Sequence, residues 1–132
     1  MRYLDWAERL SDFLDAERSF DWVSCNCVLF TADAVKVQTG VDYAKEYRHL
    51  TTKSGMLKKL KRDYDCNVSD AATDKLGEPI SITMAKRGDV VCADLGIALA
   101  LGVCLGKTSV FMAEGQGHVY VPTLKCDKAW SI

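Results

Sequence analysis

Proline and histidine are scarce in this chain, two of each in 132 residues. So few prolines, with no low-complexity run, argue against long disordered tails. Two imidazoles, His49 and His118, are all the histidine bases the chain can offer. Long apolar runs are missing too. The longest, Leu95 to Leu105, has eleven residues and two glycines, far short of the roughly 20 that a membrane span needs. Neither charge sign dominates: 17 Lys and Arg against 18 Asp and Glu leave a net −1. That balance predicts no polyanion-binding surface and no nucleic-acid partner. The opening MRYLDWAERLSDFLDAERS carries acidic residues throughout and lacks the apolar core of a signal peptide. A soluble chain made in a cytoplasm is expected. No internal repeat and no linker divides the sequence. Residues 1–132 are therefore read as one domain, large enough for a core without metal or disulfide staples.

Cysteine, by contrast, is plentiful. Without a signal sequence, Cys25, Cys27, Cys66, Cys92, Cys104 and Cys126 read as reduced thiols rather than a disulfide framework. Cys92 and Cys104 lie in apolar, strand-like runs and are expected to be core residues. The close pair Cys25-x-Cys27 is spaced too tightly for zinc, and no second pair answers it. No metal and no cofactor are predicted.

The chain is organised around Phe20 to Gly40, FDWVSCNCVLFTADAVKVQTG. Ser24 or Asn26 can accept the free N–H groups of a first helical turn. From Val28 to Val37 the apolar residues cover nearly all sides, with Asp33 and Lys36 as one polar stripe, which predicts a buried helix. Gly40 supplies the left-handed stop. Cys27 falls in the first turn, where the helix dipole and unpaired N–H groups favour a thiolate. The same placement also fits a buried free cysteine, so partners must decide.

Around that segment, Tyr3 to Arg18 reads as an amphipathic helix with Trp6, Leu10, Phe13 and Leu14 on its core face. VDYAKEYRHL after Gly40 reads as a polar connection whose aromatics can pack over its neighbours, with His49 as an exposed loop residue. Thr51 to Asp63 predicts a helix capped by Thr51 or Thr52, with Lys58, Lys59, Lys61 and Arg62 as a solvated face. Asn67 to Leu76 predicts another short helix, ended by Gly77 and Pro79. From Gly88 onward strands are expected at Asp89–Ala93, Ile97–Leu105, Ser109–Ala113 and Gly117–Val121, joined by short glycine turns into an antiparallel meander. Leu124 to Ile132 reads as a tail in which Trp130 docks on the body. Helices first and strands afterwards is the α+β pattern.

Several segments recur in order as a recognisable set. They are Trp22, Asn26-Cys27, Phe30, Ala32-Asp33, Thr39-Gly40-Val41-Asp42, Ala85-Lys86-Arg87-Gly88-Asp89-Val90-Val91, Leu101-Gly102-Val103-Cys104-Leu105-Gly106 and Ala129-Trp130. Together they cover almost the whole chain. The set resembles small phage and prophage proteins encoded near tail-tip genes, which share the papain-like core of the NlpC-type cell-wall cysteine peptidases. The resemblance implies an N-terminal helical part whose central, Cys-bearing helix packs on a C-terminal antiparallel sheet.

In those peptidases the cysteine is the nucleophile, a histidine on the following strands its base, and a polar residue one strand later orients the histidine. The resemblance carries Cys27 over as candidate nucleophile. The base position falls on Ala100, and the orienting position, counted without a gap, on Met112. Asn26 replaces the usual Asp before the cysteine. If Gly117 to Val121 is a strand, Val119 and Val121 face the core, and His118 lies on the other face as a surface residue. His118 is nevertheless the candidate base if any pair survives.

Three functions follow from the resemblance. The first is a structural or assembly component of a phage tail tip, its peptidase chemistry lost, in contact with other tail-tip and hub proteins. It would reside in the host cytoplasm during assembly and then in the virion tail. The second is an active cysteine peptidase or amidase that cuts cell-wall peptide during infection, using Cys27 and His118. The third is a module that binds wall peptide or a partner without cutting.

Overall fold

The computed structural model describes residues 1–96 and 98–132. Four helices come first: α1 (Trp6–Asp15), α2 (Cys27–Thr39), α3 (Lys53–Tyr64) and α4 (Val68–Leu76). Five strands follow: β1 (Val90–Asp94), β2 (Leu99–Cys104), β3 (Thr108–Ala113), β4 (Gly117–Pro122) and β5 (Lys128–Trp130). Short 3₁₀ turns occupy Lys45–Tyr47, Ile82–Met84 and Thr123–Lys125. The class is α+β, with an antiparallel sheet in the order β4-β3-β2-β1-β5. Among the described residues no helix is long and apolar enough to cross a membrane.

The helix starts obey their caps. Asn26, Thr52 and Asn67 each accept a backbone N–H from three residues ahead, satisfying one of the open donors of α2, α3 and α4. Gly40 closes α2 at φ 80° and returns its own N–H to the carbonyl of Lys36. The first helix is shorter than its periodicity suggests. The guanidinium of Arg18 donates to the carbonyls of Phe13 and Ala16, and the chain turns extended at Ala16. An arginine thus takes up carbonyls that another helical turn would have used.

Helix α2 lies in the middle because its apolar residues need cover on more than one side. Phe30 and Ala34 meet Leu10 of α1 and the sheet residues Val103, Val110 and Met112. Val35 packs with Val90, Cys92, Leu101 and Trp130, and with α4 through Val68 and Ala72. Leu29 and Ala32 face outward onto Ala44, Tyr47, Met56 and Leu60. Each fully buried large side chain here is worth roughly 1.5–3 kcal/mol. The far face of the sheet, with Val91, Ala93, Ala100, Phe111 and Ala129, is covered by Ile80, Ile82, Ala85 and Cys126. Both faces of β1, β2 and β3 are therefore largely buried, whereas the edge strand β4 stays partly exposed.

Two segments differ from the sequence expectation. The C-terminal tail is a fifth strand, with Trp130 opposite Val90 and Ala129 opposite Val91. Trp130 is fully buried and its indole N–H donates to Thr73 Oγ1 at 3.2 Å. In the connection after Gly40 the aromatic Tyr47 packs inward as expected, and Ala44 joins it in the core. The strand expected from Ile97 begins at Leu99, and Ile97 itself lies outside the described residues. All six cysteines are free thiols, with Cys92, Cys104 and Cys126 buried.

One carboxylate holds the two ends of the chain. Asp89, 2% exposed, accepts from Arg2 Nη2 at 2.7 Å, from the Lys86 amide at 2.9 Å and from the Ile132 amide at 3.4 Å.

Candidate functional site

The segment that delivers Cys27 is a tight loop built by its own side chains. Asp21 and Cys25 exchange both backbone hydrogen bonds, and Asp21 Oδ1 accepts the amides of Val23 and Ser24. Asn26 then works at both ends. Its oxygen accepts the Leu29 amide at 2.9 Å, and its Nδ2 donates to the Trp22 carbonyl at 2.8 Å. An ionised aspartate could make the first bond but not the second, because it has no proton to donate. The departure from Asp at position 26 therefore has a structural reason. Trp22 is fixed in turn by Glu114, which accepts its indole N–H at 3.0 Å.

Cys27 heads α2, as its spacing predicts, and is half-buried as a residue. Its sulfur nevertheless sits deep. Burial pushes the thiol above its ordinary value, and this outweighs the backbone N–H groups of Leu101, Val28 and Cys27 itself, which favour the thiolate. The helix start supplies the donors that a reactive cysteine uses, and burial cancels their effect. The Leu101 amide was not foreseeable from sequence, because a backbone group leaves no signature there.

Cys27 packs against the cluster that holds Ala100. The position the resemblance assigns to the base is thus in the cluster on which Cys27 packs, and it is a methyl group. Met112 is elsewhere. Gly102 pairs with Phe111 across β2 and β3, so antiparallel counting sets Ala113 opposite Ala100. Met112 therefore belongs to the α2 face, against Phe30. An ungapped count across the turn lands one residue out of parity, and one residue changes the face.

His118 corrects the expectation of a surface residue. It sits opposite Met112 in the β3–β4 ladder and packs on Phe30, ring centroids 5.5 Å apart. The β4 face that alternation assigned to solvent meets α2 at His118, while Tyr120 further along the same face stays exposed. Its Nε2 is buried with no hydrogen-bond partner among the described residues. Burial, and then the Arg18 guanidinium, hold its pKa below the ordinary histidine value. Among the described residues, burial and backbone amides set the Cys27 thiol, and burial and Arg18 set His118. His49 is exposed, beyond the Lys45–Tyr47 turn.

The other motif residues are scaffold. Asp33 and Asp42 share Arg48, whose Nη2 reaches Asp33 at 2.6 Å and whose Nε reaches Asp42 at 2.7 Å. Gly88 gives its carbonyl to buried Gln38 of α2, and Asp89 ties the chain ends. Cys92 is a core thiol pushed up to about 12, mainly by burial.

The model of a family described as a domain of unknown function (DUF6950) matches residues 1–132, the length of the chain. A comparison with the curated proteins finds no match.

Proposed function

This chain belongs to the DUF6950 family, and we propose that it is a non-catalytic domain of papain-like, NlpC-type layout serving as a structural or assembly component of a phage tail tip. The observation that carries the loss of catalysis is the setting of Cys27. Its thiol is raised by burial, and the cluster on which it packs holds Ala100 and no imidazole. Acyl transfer by cysteine needs a thiolate and a base within hydrogen-bond reach. With His118 against Phe30, the site supplies neither. What persists is shape: a capped helix start, a hydrogen-bonded entry loop and a sheet whose inner strands are buried on both faces. The placement in a phage tail rests on the ordered motif set of the sequence, which implies tail-tip and hub proteins as partners.

The test has two arms. Purified protein incubated with cell-wall peptide should release no new amine termini beyond those of Cys27→Ser. Co-expression with phage tail-tip proteins should yield a complex of fixed stoichiometry. Cleavage abolished by Cys27→Ser would overturn the first half of the proposal. Failure to associate with any tail-tip protein would overturn the second.

A further inference from the structure

We propose that this chain associates with itself head to tail, the acidic outer face of α1 on one copy docking against the basic outer face of α3 on the next. The charges that nearly cancel in the sum are sorted in space. On α1, Glu8, Asp12 and Asp15 are exposed at i, i+4 and i+7, one stripe turned away from buried Leu10. Among the described residues none of the three has an ion-pair partner. At about 1.5 Å per residue the stripe is roughly 10 Å long.

Helix α3 carries the opposite sign. Lys58, Lys61 and Arg62 are exposed on the side away from buried Met56 and Leu60. Lys58 and Lys61 have no acidic partner among the described residues. Arg62 reaches Asp63 only at 3.4 Å and keeps 72% of its side chain exposed. Asp63 is already engaged by Lys59 and by the Tyr47 hydroxyl. Arg87, which donates to Ser11, borders the acidic stripe, and exposed Asp65 ends the basic one. Neither outnumbers the stripe it borders.

The fold keeps the two stripes from meeting within one chain. Helix α1 packs on α2 through Phe30 and Ala34, whereas α3 packs on it through Leu29 and Ala32. At about 3.6 residues per turn these pairs point roughly 150° apart around α2. Both stripes face away from α2, so they lie on opposite flanks. What each flank lacks is what the other flank of a second copy presents. The chain is its own complement. A two-fold contact of α1 on α1, or of α3 on α3, would oppose like charges. The contact is therefore heterologous, and its repetition builds a ring or an open filament rather than a closed pair.

Exposed ion pairs hold weakly and are screened by salt, so the test uses concentrated protein and little salt. In sedimentation equilibrium of the full chain, at about 1 mM protein and about 20 mM salt, the average mass should rise with concentration through that of a dimer. It should fall to the monomer near about 0.5 M salt. Glu8→Lys with Asp12→Lys makes both faces basic, and Lys58→Glu with Arg62→Glu makes both acidic. Each variant alone should stay monomeric. Mixed in equal amounts they should associate again, since every junction then joins opposite charges. Lys107→Glu with Lys125→Glu changes net charge as much as the α3 reversal, at exposed positions outside both helices, and should associate as the wild type does. The proposal is overturned by a wild-type chain that stays monomeric at low salt, or by a mass that levels off at the dimer. It is equally overturned by association that survives a reversal or high salt, by a mixture that stays monomeric, or by loss of association in the Lys107 and Lys125 variant. A monomer throughout would leave the stripes to a protein other than this chain. The mass of the purified chain depends neither on the tail-tip reading nor on peptide cleavage.

Discussion

His118 lays its imidazole against the ring of Phe30, centroids 5.5 Å apart and planes inclined by 48°. Phe30 is one helical turn beyond Cys27, so the imidazole that the resemblance offers the thiol is held by a phenyl ring instead. An aromatic contact fixes a ring by packing. It does not set a tautomer or hold a proton ready, as a carboxylate or amide partner does.

The first prediction concerns Cys27 itself. Burial raises its thiol, so the rate of alkylation should climb with pH through a midpoint above the ~8.5 of a free thiol. His118→Ala should leave that midpoint where it is. A midpoint well below ~8.5 that moves upward in His118→Ala would show a live cysteine–histidine pair.

His118 also predicts a pH dependence of stability. Burial first, and Arg18 second, lower its folded pKa beneath the ~6.5 of an unfolded histidine. The unfolded chain therefore binds the extra proton more readily. Stability should be full above about pH 6.5 and fall as the pH drops towards the folded value. His118→Phe keeps a ring on Phe30 and removes both the titration and the unpaired Nε2. It should gain about 1 kcal/mol at pH 7 and lose less between pH 7 and 5 in thermal unfolding. A variant with the wild-type slope would show that His118 is not the source.

Arg48 links Asp33 to Asp42, and its bonds hold the Asp42 carboxyl below the usual carboxylate range, with the Ala44 amide helping. A depressed carboxylate contributes above its unfolded pKa of ~3.9 and loses that contribution as pH falls through the folded value. Arg48→Met should therefore cost about 1 kcal/mol in urea unfolding at pH 7, and measurably less near pH 3. An equal loss at both values would assign the effect to packing of the arginine stem.

Gly102 has no room for a side chain. A Cβ there would lie 2.5 Å from both the Phe111 ring and the Val110 carbonyl. Gly102→Ala should cost about 1–3 kcal/mol or more by forcing β2 and β3 apart. Phe111→Leu in the same chain should recover only part of the lost melting temperature, because the Val110 carbonyl remains. Full recovery would mean that the ring alone was in the way.

Local chemistry made the helices and hairpins legible. Asn26, Thr52, Asn67 and Gly40 announce helix limits by what their own groups can do, and Gly96, Gly106 and Gly115 mark the turns of the meander. What stayed hidden depends on partners distant in the chain. Lys128–Trp130 is too short to show a period and is a strand only because Val90 and Cys92 lie beside it. Tyr47 looks like a loop aromatic until Met56 and Leu60 cover it. His118 was misassigned because alternation gives two faces without saying that Phe30 meets one end of the second, where Tyr120 does stay exposed.

The grip of Asp89 on Arg2 and Ile132 makes the two termini neighbours. A cargo or tag fused at either one pulls on the same buried anion, so a label at the front can loosen β5 at the back. Conversely, a short bridge joining Ile132 to Met1 would close the chain into a ring, and a new opening could then be cut in an exposed turn such as that at Gly115.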